Sequence, residues 1–276
     1  MRKIIDSVDS ELNIFYIIIE GRKIGFHLTK RLAKTFFHYL DKGIVVDFEV
    51  SEKRKKIEQQ WLHQVAYFNK IESLHPHHVF YDLAGLRNDM KTVLEQYEYF
   101  LFIDFEMTMP GYQQKKFTSE IIQVGYVLSK AQSKVLVKDA YYVKPKLTNE
   151  LSKRTLKFLK IEEAFFNKKA VDYQVFYKKL KKIISKYHPK CVVWGKNDIT
   201  ALNDSYQIHQ KLPLTDSNDF IDLLKLHKDY YNLKDDLGLF NAYKTYYESN
   251  DLQKHDAFDD AKVTKFVFDA FLEQMK

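Results

Sequence analysis

The stretch that most constrains the fold is the apolar run FLFIDFEMT, from Phe100 to Thr108. Its aromatic and β-branched residues favour a buried β-strand, yet Asp104 and Glu106 are set into it two positions apart. Side chains of a strand alternate between its two faces, so both carboxylates point the same way and lie close together. Two like charges among apolar neighbours are unfavourable unless a cation or a proton compensates them. This face of the strand is therefore expected to hold something positive.

The composition indicates a globular protein of a reducing compartment. The 276 residues are 45% hydrophobic, with only eight Gly and five Pro, which is enough for one or two folded cores. A single cysteine, Cys191, excludes a disulfide framework and any cysteine-based zinc site. The most apolar windows are too short to span a bilayer, and the first residues lack a leader pattern. We therefore expect a soluble, cytoplasmic protein with no membrane association.

Residues 1–98 are expected to form a small α+β accessory domain of unknown role. The segment NIFYIIIEGRKIGFHL reads as two strands around a turn, Thr29 is placed to cap a helix, and IVVDFEV reads as a further strand. The charge run SEKRKK that follows suits a solvated surface, with a nucleic-acid contact as the alternative. The segment from Trp61 to Ile71 is ambiguous.

Residues 99–276 are expected to form a second, α/β domain. Three strand-like segments come first, Tyr99 to Met107, Glu120 to Leu128 and Lys134 to Val143. Helical stretches then alternate with the short apolar segment CVVWG and with DFIDLLKL. This order predicts a mixed sheet layered with helices.

Four acids of this second region fall at strand ends or helix starts: Asp104, Glu106, Asp198 and Asp260. Polar groups converge at such places in α/β sheets, and carboxylate oxygens suit Mg²⁺ or Mn²⁺. Two such ions can clamp the attacking and leaving oxygens of a phosphodiester, and His255 could accept a proton at neutral pH. Asp204 is an alternative to Asp198, which follows its strand more directly.

The segments FIDFEMT, EIIQVGYVL, VVWGKND and HDAFDDA resemble, in order and spacing, the motifs of the DEDDh 3′–5′ exonucleases, the DnaQ-like branch of the RNase H-like fold. The resemblance implies a mixed five-stranded sheet flanked by helices and a site for two metal ions, Mg²⁺ or Mn²⁺. Asp104, Glu106 and Asp260 would hold the ion nearer the nucleophile, and Asp104 would also bridge to the second. Asp198 would act on that second ion and His255 would be the general base. Met107 and Thr108 would touch the 3′-terminal nucleotide.

The sequence thus predicts an exonuclease that releases nucleoside 5′-monophosphates from a single strand with a free 3′ end. RNA is favoured over DNA, because WGKND and EIIQVGYVL resemble the branch related to siRNA- and histone-mRNA-processing exonucleases. Two alternatives stay open: a DNA proofreading or repair exonuclease, and a non-catalytic nucleic-acid-binding module on the same fold. Loss of carboxylates would mark the second, whereas here every position of the pattern is filled.

Overall fold

The computed structural model describes residues 1–112, 117–148, 150–233, 235–248 and 256–275. The chain divides into two compact units, Met1–Thr92 and Val93–Lys276. Among the described residues, no helix combines the length and the apolar character that crossing a membrane requires.

The first unit is built mainly of β-structure. β1 and β2 pair antiparallel, as do β2 and β3, β1 and β4, β4 and β5, and β5 and β6. β3 also pairs in parallel with β5, Phe26 opposite His63, which closes β1 to β5 into a ring. Its elements are β1 (Arg2–Asp9), β2 (Ile14–Ile19), β3 (Arg22–His27), α1 (Lys30–Phe36), β4 (Val45–Ile57), β5 (Gln60–Leu74) and β6 (His77–Asp82), followed by α2 (Leu83–Glu95).

Aromatic side chains fill the inside of this barrel. Phe15 lies 5.2 Å from Phe48 and 5.6 Å from Phe26, measured between ring centroids, and Phe68 packs beside them. All four rings are buried. Thr29 caps α1 as expected, since its hydroxyl oxygen accepts the N–H of Leu32.

The charge run SEKRKK is exposed, as a solvated run should be, but it continues strand β4 rather than leaving the sheet. It forms a long hairpin with the segment that was ambiguous in the sequence, with Lys55 opposite Leu62 and Lys56 opposite Trp61. Pairing with a neighbouring strand satisfies the backbone of this charged segment, so its side chains need not be apolar.

The second unit contains a mixed five-stranded sheet in the order β11-β10-β7-β8-β9, which confirms the predicted fold class. β7, β8 and β9 are antiparallel neighbours, whereas β10 runs parallel to β7 and β11. Its elements are β7 (Phe100–Met107), β8 (Ile121–Ser129), β9 (Val135–Tyr142), α3 (Lys153–Leu159), α4 (Glu163–Lys169), α5 (Tyr173–Tyr187), β10 (Lys190–Val193), α6 (Asn197–Ile208), β11 (Phe220–Asp222), α7 (Leu223–Tyr230), α8 (Leu239–Tyr246) and α9 (Ala257–Gln274).

Helices cover both faces of this sheet. On one face Phe105 of β7 packs against Phe176 of α5, 5.9 Å between ring centroids. On the other face Phe268 of α9 lies 4.8 Å from Phe100 and 5.3 Å from Phe102. β7 is therefore covered on both sides along most of its length, and its two carboxylates lie towards its end.

Candidate active site

The alternation of β7 places Asp104 and Glu106 on the face covered by α9. Phe100 and Phe102 occupy the same face and contact Phe268 of that helix. The two acids come next along the strand, at its carboxyl end. The strand thus changes from apolar packing to a pair of carboxylates within one face, as the sequence predicts.

Helix α9 brings a third acid, Asp260, to this pair because its first turn lies directly on strand β8. A Cβ atom built on Gly125 would be only 2.2 Å from the carbonyl carbon of Ala257 and from the backbone nitrogen of Phe258. Gly125 is the partner of Asp104 in the β7–β8 register. Ala257 and Ala261 at the start of α9 are small, which allows this close approach to the backbone of β8.

Two further side chains fix the beginning of α9. Asp256 is the N-cap residue, and its Oδ1 accepts the N–H groups of Phe258 and Asp259, each at 3.1 Å. Its Oδ2 accepts a hydrogen bond of 2.7 Å from Nε2 of Gln123, the partner of Glu106 in the register of β7 and β8. The helix start is therefore tied to the strand that lies beside the acidic pair.

Asp198 reaches the site from the first turn of α6. Strand β10 pairs with β7 only as far as Phe102, so the backbone of Phe105 lies beyond its end. The N–H of Phe105 instead donates to Oδ1 of Asp198 at 2.9 Å. Phe105 lies between Asp104 and Glu106, so the structure places Asp198 next to the pair; Asp204 lies farther along the same helix.

One ligand oxygen from each of Asp104, Glu106 and Asp260 lies within 4.8 Å of the others. Glu106 is 9% exposed and Asp260 6%, so little water reaches them. Burial, and then the charges of Asp260, Asp198 and Asp256, raise the pKa of Glu106 to about 8. Burial and the same acidic neighbours raise the pKa of Asp104 well above its usual range. Burial also raises the pKa of Asp198 to about 7, although the N–H groups it accepts act in the opposite direction.

This donor set suits a hard divalent cation. Buried carboxylates that repel one another cannot all ionise at neutral pH without a compensating charge, and oxygen-rich sites select ions such as Mg²⁺ or Mn²⁺. Among the residues that the structure describes, this is the one group of three or more acid, histidine or cysteine side chains that could hold a metal ion. His75, His77 and His78 are exposed and belong to no such group.

The remaining predicted site residues have different surroundings. Met107 is half-buried at the end of β7. Thr108 is buried, and its hydroxyl oxygen accepts the N–H of Glu120 at 2.9 Å. Glu120 in turn accepts the backbone N–H groups of Lys146 and Leu147, which is a structural role. His255 lies outside the described residues.

Sequence reasoning did not single out Gln123, Gly125 or Asp256 as parts of the site. A signal for the first two was present, because a glycine and an amide interrupt the apolar segment IIQVGYVL, which is buried throughout as β8. Nothing in the pattern indicated that Asp256, among the several acids of HDAFDD, would cap the helix.

Comparison with known proteins gives consistent matches over this unit. A family model for exonucleases, RNase_T, matches residues 101–268. The probable 3′-5′ exonuclease KapD of Bacillus subtilis (strain 168) is 30% identical over 178 residues, covering 64% of this chain and 85% of KapD. The nuclease domain of 3′hExo, a DEDDh family member solved with rAMP, has a TM-score of 0.56 at 20% identity and covers 64% of this chain and 93% of its own. E. coli Exonuclease I solved with a dA16 oligonucleotide has a TM-score of 0.50 at 16% identity, and the match covers 63% of this chain and 40% of Exonuclease I.

The family model spans the strand that carries Asp104 and Glu106 and the helix that carries Asp260, so the matched region contains the acidic cluster. The resemblance noted from the sequence motifs is confirmed by these matches. The chain belongs to the exonuclease family described by the RNase_T model, and its second unit has the RNase H-like fold of these nucleases.

Proposed function

We propose that this protein is a metal-dependent 3′–5′ exonuclease that releases nucleoside 5′-monophosphates from single-stranded nucleic acid, with RNA favoured. The observation that carries the proposal is the cluster of Asp104, Glu106 and Asp260, whose ligand oxygens lie within 4.8 Å of one another in a nuclease fold. A cluster of buried carboxylates lowers the stability of the fold. A catalytic role therefore explains it better than a structural role does.

The three clustered acids would hold the metal ion nearer the nucleophile, with Asp104 also bridging to a second ion. Asp198 would serve that second ion through Oδ2, or through a water molecule, because its Oδ1 is engaged by the N–H of Phe105. Two divalent ions, Mg²⁺ or Mn²⁺, supply a nucleophile at neutral pH and neutralise charge on the attacking and leaving oxygens.

His255 is the proposed general base. Its imidazole would accept a proton from the attacking water. The water oxygen forms a bond to the terminal phosphorus as the bond from phosphorus to the 3′ oxygen of the preceding nucleotide breaks. The products are a nucleoside 5′-monophosphate and a strand with a new 3′ hydroxyl.

Met107 and Thr108 are the proposed contacts to the 3′-terminal nucleotide. Met107 is the better placed for a direct contact, because Thr108 is buried and its hydroxyl already accepts the N–H of Glu120. Thr108 would act by holding the segment after β7 in place. A direction from 3′ to 5′ is supported by the similarity to KapD, a probable 3′-5′ exonuclease.

The preference for RNA rests on the motif resemblance, and the structure of 3′hExo with rAMP supports it. A DNA-trimming exonuclease is the second candidate, because E. coli Exonuclease I, which has the same fold, was solved with a deoxyoligonucleotide. A non-catalytic module is disfavoured because all four acids are retained, three of them in one cluster and Asp198 beside it.

Matched RNA and DNA strands of one sequence test the substrate. Each is labelled at the 5′ end and incubated with Mg²⁺, with Mn²⁺ or with EDTA, and the mononucleotides released are identified by chromatography. We expect 5′-monophosphates, faster release from RNA, and no release in EDTA. Faster release from DNA would favour the second candidate, and no release from either strand in any metal would contradict the proposed activity.

A further inference from the structure

The connectivity of the first unit is that of a known type of barrel. Its closed ring runs β1-β2-β3-β5-β4 and back to β1, β3 and β5 are parallel, and α1 lies between β3 and β4. Five-stranded Greek-key barrels of this kind, the OB-folds, bind oligonucleotides on the outer face of their second and third strands and on adjacent loops. This is a fold analogy and does not by itself assign a function, so the side chains of the corresponding face must decide.

The outer face of β2 and β3 is covered in part by Leu62 of β5, which lies over the buried Gly25. Tyr16 is opposite Gly25 and Ile18 is opposite Lys23 in the register. A Cβ on Gly25 would come within 2.8 Å of Cδ2 of Leu62 and 3.0 Å of the Tyr16 ring, so the glycine lets both side chains rest close to the sheet. Ile18 is 47% exposed, which leaves an apolar side chain uncovered in the middle of the face.

The β4–β5 hairpin adds positive charge beside this face. Its end, residues 51–62, carries four consecutive cations, Lys53, Arg54, Lys55 and Lys56, against two acids. Elsewhere in the same unit Arg2, Lys23 and Lys70 are paired with carboxylates, Lys23 with Asp6 at 3.0 Å. Within the described residues, none of the four hairpin cations has a carboxylate at salt-bridge distance. Nζ of Lys55 lies 3.5 Å from Nε2 of His27, which places this charge at the end of β3.

The same hairpin exposes a large aromatic side chain. Trp61 is 65% exposed and lies opposite Lys56 in the strand register. Indole rings are normally buried at least in part, and an exposed one beside unpaired cations is the combination that binds unpaired bases and their phosphates. Positive charge alone would also attract an acidic protein, whereas the exposed indole of Trp61 favours a partner with bases that can stack on it.

We propose that the β4–β5 hairpin is a binding surface for single-stranded nucleic acid. Trp61 would stack on a base, and the cations 53–56 would attract phosphates. The surface belongs to a unit that contains none of the four acids of the nuclease site. It would raise affinity for long strands without taking part in hydrolysis.

Binding is measured on the full-length chain carrying Asp104→Asn, so that the strand is not degraded. The probe is a fluorescent single strand of about 30 nucleotides, long enough to span several binding sites, and its anisotropy is followed at several salt concentrations. Trp61→Ala is compared with Leu74→Ala, which removes another exposed apolar side chain of β5 (44% exposed). A double variant with Lys55→Gln and Lys56→Gln is compared with a control double variant with Lys34→Gln and Lys42→Gln. The control removes the same charge from exposed positions elsewhere in this unit.

Trp61→Ala is expected to weaken binding about 5- to 50-fold, as loss of one stacked base does, and Trp61→Phe should restore most of it. The double lysine variant should lower the salt slope by about 1.4, since each phosphate contact contributes about 0.7 on a single strand. Both control variants should bind like the parent. Equal affinity and salt slope in parent and hairpin variants, or equal losses in the controls, would overturn the proposal. So would unchanged nucleic-acid binding together with lost binding to a poly-glutamate peptide, which would indicate an acidic protein partner.

Kinetics on the otherwise unmodified chain separate this surface from the nuclease site. Trp61→Ala should raise KM for the long strand and leave kcat unchanged, and it should not affect hydrolysis of a trinucleotide. An equal loss on the trinucleotide would contradict a separate binding surface. The anisotropy readout is informative even if the chain hydrolyses neither RNA nor DNA, so failure of this proposal is distinguishable from failure of the proposed activity.

Discussion

Replacing Glu106 by Gln should stabilise the metal-free protein, and more so at high pH. Burial and neighbouring acids raise the pKa of Glu106 from 4.5 to about 8. The folded state therefore keeps a proton that the unfolded state releases, so the stability contributed by this group is complete below about pH 4.5 and is lost as the pH rises through 8. Glutamine has the shape of the protonated acid and cannot ionise, so the variant does not lose stability as the pH rises.

The size of the effect follows from that pKa. Each tenfold change in an equilibrium constant corresponds to about 1.4 kcal/mol. The raised pKa of Glu106 therefore lowers the free energy of unfolding by up to about 4 kcal/mol at pH 8 and by about 1 kcal/mol at pH 5, relative to a side chain that cannot ionise. For a unit of this size, 1 kcal/mol corresponds to roughly 2–4 °C in Tm. Glu106→Gln should therefore raise the Tm of the nuclease unit by about 10 °C at pH 8 and by only about 3 °C at pH 5.

The assay is thermal unfolding in EDTA at the two pH values, by calorimetry or near-ultraviolet circular dichroism. Glu120→Gln is the matched control, because both oxygens of this buried acid accept backbone N–H groups, from Lys146 and Leu147. The NH₂ group of a glutamine at this position would face a backbone N–H, and two donors cannot form a hydrogen bond. This variant should therefore be less stable than the parent at both pH values. A Glu106→Gln variant that is less stable than the parent at pH 8, or whose gain is the same at both pH values, would refute the reasoning.

Three further variants test the site. Gly125→Ala should lower kcat by about 10²-fold, because the new methyl group displaces the first turn of α9. The control Gly238→Ala, whose new methyl group would have no atom nearer than 3.9 Å, should retain near-normal rates. Equal rates in the two variants would contradict this role of Gly125. Asp198→Asn should keep the fold, since the amide oxygen can still accept the N–H of Phe105, yet lose most activity; normal turnover would remove Asp198 from the site. His255→Ala should lower turnover by about 10²–10⁴-fold, and the parent rate should fall below about pH 6.5 in single-turnover assays, so a flat profile would exclude the imidazole as base.

Much of the nuclease unit could be predicted from its sequence, because local patterns and tertiary structure agree there. The alternation of FLFIDFEMT predicts both a strand and the face on which Asp104 and Glu106 lie, and β7 follows that pattern. Small residues at the start of α9 predict its close approach to the sheet. The contact with Gly125 could not be predicted, because it depends on how α9 crosses β8 rather than on either segment alone.

The barrel of the first unit was harder to predict, and the reason is physical. Strand β4 continues through a run of charges that has no alternation to identify it. The turn that follows uses Glu58 and Gln59, both with positive φ, in place of the Asn-Gly or Asp-Gly pairs that normally indicate a two-residue hairpin. Closure of the ring by β3 and β5 joins residues far apart in the chain, Phe26 and His63, which no local pattern reveals.

The most direct test of the account is hydrolysis of a single strand labelled at its 5′ end, with a free or a chemically blocked 3′ end. The parent and Asp104→Asn proteins are compared with Mn²⁺ and with EDTA. With the parent protein and Mn²⁺ we expect a ladder of products that shorten one nucleotide at a time from the free 3′ end. We expect no ladder in EDTA or with Asp104→Asn, and no products from the blocked strand. Equal rates in Asp104→Asn, activity in EDTA, or internal cleavage of the blocked strand would contradict a metal-dependent 3′–5′ exonuclease centred on this acidic cluster.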